Sequence, residues 1–180
     1  VPSSRSLVVR EELTLEAWVC LDGTAQGPQR VLIKEGDTDP VNNPYGFESF
    51  YLAVGNQGDV VFYLTLDNTR TTLSTPVNAV PFNSWVHLAA TYDGRQMALY
   101  VDGHLQAGQP AQGRIFATSG PLIIGDTDCA FREQLAGKLD ELSIWNRSRS
   151  AAEVEQDRTT SPKPGSPGLV GAWSFDALGR

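Results

Sequence analysis

The segment WVHLAATYDGRQMALYVDG, residues 85–103, decides the fold. It holds two β-rich runs, WVHLAATY (85–92) and QMALYV (96–101), separated by Asp93-Gly94 and closed by Asp102-Gly103. Asp-Gly pairs tolerate the positive φ that tight hairpin turns require, so the segment reads as an antiparallel hairpin. Outward from it the same grammar recurs: LTLEAWVCL (13–21), RVLIKE (30–35), ESFYLAV (48–54), DVVFYLTL (59–66), TTLST (71–75), PLIIG (121–125), LDELSIW (139–145) and LVGAWSF (169–175). Short strands at this spacing, broken by turn signals such as Asp22-Gly23 and Asn56 to Gly58, predict an all-β sandwich or barrel.

One helix interrupts the strands. Ser150-Ala-Ala-Glu153 is a capping box, in which the Ser hydroxyl and the Glu carboxylate reciprocally satisfy free amides at a helix start, and the helix is expected over 151–158. The Pro/Gly/Ser-rich connector 159–168 follows, then a strand at 169–176. That strand is read as closing this sandwich, because an isolated Trp-x-Phe strand buries too little to stand alone.

A length of 180 residues suits one domain, 1–180, with a real core. No apolar run approaches the 18 or more residues of a membrane-spanning helix, so no membrane insertion is expected. The excess of 21 acidic over 14 basic residues, with no Lys/Arg cluster, argues against nucleic acid as partner and for cations as guests. The first residue, Val1, is not a start methionine, and the sequence reads as a domain alongside other domains of the same larger chain.

LTLEAWV, then WVHLAATYDGRQMALYVDG, then PLIIGD and GKLDELSIWNRSRSAAEV resemble, in order and spacing, the laminin G-like, concanavalin A-like jelly-roll domains, including their pentraxin-like branch. The resemblance implies a two-sheet antiparallel jelly roll, usually extracellular, that binds carbohydrate or protein and often carries calcium. It also places Glu16 and Ala89 where pentraxins carry a disulfide, so that bridge is absent here.

The tetrapeptide GDTD occurs twice, at 36–39 and 125–128. Six strand reversals are expected from RVLIKE to PLIIG, and an even number would bring both tetrads, and the start of LDELSIW, to one rim. Asp140 shares strand parity with Leu142 and Ile144, so it is expected to point partly inward there. Gathering Asp37, Asp39, Asp126, Asp128 and Asp140, with the Asn42 and Asn43 amides, would give a hard-oxygen set suited to calcium. In pentraxin-like relatives both corresponding loops supply calcium ligands. The competing reading is plain Asx turns on an acidic surface. The same parity puts Cys20 and Cys129 at opposite rims and predicts two free thiols.

Enzyme chemistry is the weaker class. Laminarinase-type members of the superfamily alternate Glu-x-Asp-x-Glu on one strand face, and Asp140-Glu141 point to opposite faces, which does not make a retaining pair. His87, at a strand position that packs, reads as structural, as does Asn146 of the sequon Asn146-Arg-Ser. Trp18, Trp85 and Trp173 are also expected to be structural. Aromatic candidates for sugar contact are Tyr45, Phe47, Phe50, Tyr51, Tyr63, Tyr92, Tyr100 and Trp145, with Tyr45 and Phe47 foremost, directly after the first tetrad. The sequence therefore implies a non-catalytic extracellular recognition module for carbohydrate or a glycoprotein or protein ligand. The alternatives are an adhesion or spacer domain and a divergent glycoside hydrolase.

Overall fold

A computed structural model describes residues 1–2, 4–25, 27–36, 48–126 and 133–176. Eleven strands form two antiparallel sheets: β1 (Leu13–Leu21), β2 (Gln29–Lys34), β3 (Phe50–Val54), β4 (Val60–Leu66), β5 (Thr69–Ser74), β6 (Val86–Tyr92), β7 (Gln96–Val101), β8 (His104–Pro110), β9 (Leu122–Ile124), β10 (Gly137–Trp145) and β11 (Leu169–Trp173). The six-stranded sheet runs β11-β10-β1-β6-β7-β8 and the five-stranded sheet β5-β4-β3-β2-β9. This is the two-sheet jelly-roll sandwich that the family resemblance implies.

The core is the layer between the sheets. Leu13, Leu15, Ala17, Val19 and Leu21 alternate along β1 into it and meet Phe50, Leu52, Val54, Phe62 and Leu64 from the facing sheet. Each such Leu or Phe contributes about 1.5–3 kcal/mol by leaving water. The expected tail strand is in place: β11 pairs with β10, and Trp173 packs against the core.

Helix α1 (Ala151–Asp157) is capped as its sequence dictates: Ser150 Oγ accepts from the Glu153 amide at 3.3 Å, and Glu153 Oε2 accepts from the Ser150 amide at 2.8 Å. It lies on the outer face of the six-stranded sheet, where Val154 is buried, and Glu155 and Arg158 reach Gly103 at the β7–β8 turn.

Two expectations are corrected. The strand β8, HLQAGQP, is an edge strand exposed along most of its length, so it carries no inward-outward alternation to mark it in the sequence. Segment 114–118 adds only an isolated bridge, Leu66 to Ile115. Strand β8 raises the reversals between β2 and β9 from six to seven, and the two pair directly and antiparallel, Ile33 opposite Ile123. The second correction is a β-bulge in β10. Glu141 takes φ 46°, and Glu141 and Leu142 together oppose Ala17, between the pairs Glu16–Ser143 and Trp18–Asp140. The extra residue reverses the alternation, so Asp140 shares the outer face with Trp18 instead of pointing inward with Leu142 and Ile144.

Candidate functional site

The outer face of the five-stranded sheet is built by register. Leu32, Leu52, Phe62 and Leu73 oppose one another in a row that faces the core. One residue along, Ile123, Ile33, Tyr51, Tyr63 and Thr72 form the corresponding row on the opposite face. Tyr51 and Tyr63 stack with ring centroids 4.6 Å apart and planes 1° from parallel, as neighbouring strands allow. On the other side of Tyr51, from β2, the Arg30 guanidinium carbon lies 3.6 Å from the ring centroid.

Both faces of Tyr51 are therefore occupied, and what it offers a ligand is its edge and hydroxyl. Charged pairs bracket the stack. Arg30 Nε donates to Glu133 Oε2 at 2.5 Å, and Arg70 Nη2 lies 3.9 Å from Glu48 Oε2. The Tyr63 hydroxyl is 3.0 Å from Thr65 Oγ1, which donates to the Glu48 carbonyl at 2.6 Å, and burial raises the Tyr63 pKa. Tyr63 is buried, so the part of this stack that can meet a polyhydroxylated ligand is half-buried Tyr51 with the flanking ion pairs.

The acidic residues behave differently from the parity argument. Asp37, Asp39, Asn42, Asn43, Tyr45, Phe47, Asp128 and Cys129 lie outside the described residues. The Glu35 amide donates to the Pro121 carbonyl at 2.9 Å, whereas the Gly125 amide donates to the Val31 carbonyl at 3.0 Å. The chain thus enters the first tetrad at one end of the β2–β9 pair and the second at the other, which overturns the shared rim. Asp126 is half-buried and accepts from Gln134 Nε2 at 3.3 Å. Asp140 accepts from the Glu141 amide at 2.9 Å on the six-stranded sheet. Among the described residues, no group of three or more His, Cys, Asp or Glu is arranged to hold a metal ion.

Cys20 is a free, half-buried thiol on the outer face of the six-stranded sheet. Cys129, the other half of the two-free-thiol expectation, lies outside the described residues. Of the three tryptophans read as structural, Trp18 lies 5.5 Å from the His87 ring and Trp173 packs, but Trp85 is 45% exposed.

A second polar cluster sits beneath α1. Glu16 and His87, from adjacent strands β1 and β6, are both almost wholly buried, with His87 Nε2 3.4 Å from Glu16 Oε2. Burial, then Asp157, pushes the Glu16 carboxyl well above the usual carboxylate range. Burial, then Arg158, lowers His87 to about 4. Both groups are biased to their neutral forms, so this contact is not an ion pair. Arg149 roofs the cluster, bonding Asp157 at 2.6 and 2.8 Å and Glu153 at 3.0 Å, with its guanidinium 4.2 Å from the Trp145 ring centroid. His87 is buried, in the packed place that its strand position predicted.

Comparison with known proteins places this geometry. Mouse pappalysin-1 is 28% identical over 162 residues, which is 84% of this chain and 10% of that protein. The human adhesion G protein-coupled receptor D2 is 32% identical over 104 residues, 52% of this chain and 11% of the receptor. The chain thus spans about a tenth of the length of the curated relatives it matches. Among solved structures, a heptameric SAP-like pentraxin from Limulus polyphemus superposes with TM-score 0.62 and 16% identity, covering 98% of this chain and 90% of its own. The CBM40 of a Ruminococcus gnavus sialidase, bound to α2,3-sialyllactose, gives TM-score 0.65 and 22% identity, covering 84% of each chain. At these identities the superpositions establish the fold. Residues 1–155 match the family model Laminin_G_3, and the chain belongs to the concanavalin A-like lectin/glucanase superfamily.

Proposed function

We propose that this chain is a non-catalytic recognition module that binds carbohydrate and is carried by a larger secreted or cell-surface protein. The observation that carries the reading is the Arg30–Tyr51–Tyr63 stack on the outer face of the five-stranded sheet, where half-buried Tyr51 rests on buried Tyr63 and Arg30–Glu133 and Arg70–Glu48 bracket the pair. The sialyllactose-bound CBM40 and the pentraxin among the similar structures support it. An adhesion receptor among the relatives, and the small share of each relative that this chain spans, support the larger extracellular setting.

Calcium belongs to the proposal in a reduced form. Asp126, with the Gln134 carboxamide beside it, supplies hard oxygen atoms of the type the ion takes. Asp128, in the same loop, is a further candidate donor, whereas Asp37, Asp39, Asn42 and Asn43, followed by Tyr45 and Phe47, come after the opposite end of β2 and would serve a separate site. Asp140 is no longer among the ligands, because it faces outward from the other sheet. Bound calcium would neutralise the acidic side chains and fix a sugar hydroxyl.

A glycan array run with and without chelator tests the reading. Binding by the wild-type chain, weakened at least about 10-fold by Tyr51→Ala or Arg30→Ala, is expected. A silent array favours the adhesion or spacer reading, for which the adhesion receptor is the supporting relative. Release of reducing sugar from β-glucans would instead establish a glycoside hydrolase.

A further inference from the structure

A cavity of about 280 Å³ opens on the opposite side of the sandwich, between the end of β10, α1 and the connector that leads to β11. Its walls include Trp145, Arg147, Arg149, Asp157, Ser161 and Lys163. In a chain of net charge −7, three cationic side chains line this one recess against a single carboxylate. That carboxylate is committed, since both oxygens of Asp157 accept from Arg149.

The donors are not all committed. Arg147 gives Nη2 to Glu153 at 2.6 Å and Nε to the Pro167 carbonyl at 3.2 Å, which leaves Nη1 without a hydrogen-bond partner among the described residues. The Lys163 ammonium and the Ser161 hydroxyl are likewise without partners among the described residues, and both side chains are exposed. Arg149, locked to Asp157 and Glu153, is a rigid wall over the Trp145 ring. The recess thus presents spare donors and positive charge beside the apolar rings of Pro162 and Pro167, with Trp145 buried behind Arg149 and the acidic acceptor already spent. The complementary guest is compact, acceptor-rich and anionic, with an apolar face.

We propose that this cavity binds one acidic sugar unit, carrying a carboxylate or a sulfate ester, with Arg147 and Lys163 on the anionic group. The volume holds a single ring rather than an oligosaccharide. This site is separate from the Tyr51 face and stands or falls without it.

Heteronuclear NMR titration of the intact chain with methyl β-glucuronide and N-acetylglucosamine 6-sulfate tests the proposal, against methyl β-glucoside, N-acetylglucosamine and inorganic sulfate. The expected result is binding of both acidic sugars, with shifts at the Trp145 indole and the Arg147 Nε–H and no shift of these two signals with the neutral sugars. Lys163→Ala is expected to weaken binding about 5-fold and Lys163→Glu at least about 10-fold, while Tyr51→Ala leaves it unchanged. Lys163 is exposed, so these variants keep the fold. Equal shifts of the Trp145 and Arg147 signals with neutral sugars, their indifference to Lys163→Glu, or their loss in Tyr51→Ala overturns it. So does inorganic sulfate binding as tightly as the sulfated sugar, which identifies an adventitious ion only.

Discussion

Replacing Glu16 by Gln at the bottom of the α1 contact separates two titrations of opposite sign. In the native chain Glu16 is held above its unfolded pKa, so the native state binds its proton more tightly. The resulting stability is present below the unfolded value of roughly 4.3 and is lost as pH rises through the folded pKa. His87 acts the other way. Its pKa falls from 6.5 to about 4, so stability is complete above 6.5 and is lost as pH falls toward 4. The full drop for His87 is about 3 kcal/mol, at 1.36 kcal/mol per pKa unit. In the wild type, acidification from neutrality gains stability at Glu16 while it loses stability at His87, so the two titrations oppose each other.

Glu16→Gln removes the first titration and keeps the second. At pH 7.5 the variant is expected to be more stable than wild type by about 1–3 kcal/mol, the usual cost of a poorly compensated buried charge. That advantage shrinks as pH is lowered and is gone near pH 4, while the variant's own stability falls more steeply between 6.5 and 4. Urea unfolding followed by tryptophan fluorescence at pH 7.5, 6, 5 and 4 reads both curves, and their difference cancels every other carboxylate. A variant less stable than wild type at pH 7.5, or a gap independent of pH, would refute the assignment of neutral forms to this pair.

Three further outcomes follow from local geometry. Gly137 sits at φ 149°, and a Cβ there would lie 2.2 Å from the Cys20 carbonyl oxygen, so Gly137→Ala is expected to cost about 2 kcal/mol or more in chemical denaturation. Ser150→Ala deletes the acceptor for the Glu153 amide and is expected to cost about 1 kcal/mol, read in the same assay. Hydrogen bonding to Arg147 foremost holds Glu153 down to about 2, so its stabilisation is present above roughly pH 4.5 and lost toward 2. Glu153→Gln should flatten acid unfolding within that window, and an unchanged acid limb would remove the assignment.

Strands that bury one face announced themselves in the sequence, because alternation is the imprint of burial; β1 and the 85–103 hairpin are cases. Strand β8 buries little on either side and left no imprint, and that single omission reversed the relative direction of the two GDTD tetrads. The bulge at Glu141 was equally silent, because a glutamate at φ 46° carries no Gly or Asn to signal it. Counting parity through it turned Asp140 to the wrong face. The capping box was legible because its whole logic lies within four consecutive residues. Tyr51 and Tyr63 were visible as aromatics on strands, but their stacking with Arg30 depends on the alignment of three strands and on a shift in β2 between Arg30 and Leu32. Composition alone does not encode such alignment.

Helix α1, at seven residues, is too short to persist in water by itself, so its life depends on the sheet beneath it. Arg149 fastens one flank and Val154 sits at the seam. Slow deuterium uptake by the α1 amides should therefore track the hydration of Glu16 and His87, since a lift of this clasp floods both at once. The clasp acts as a gasket, and the domain's tolerance of acid depends on how long it stays shut.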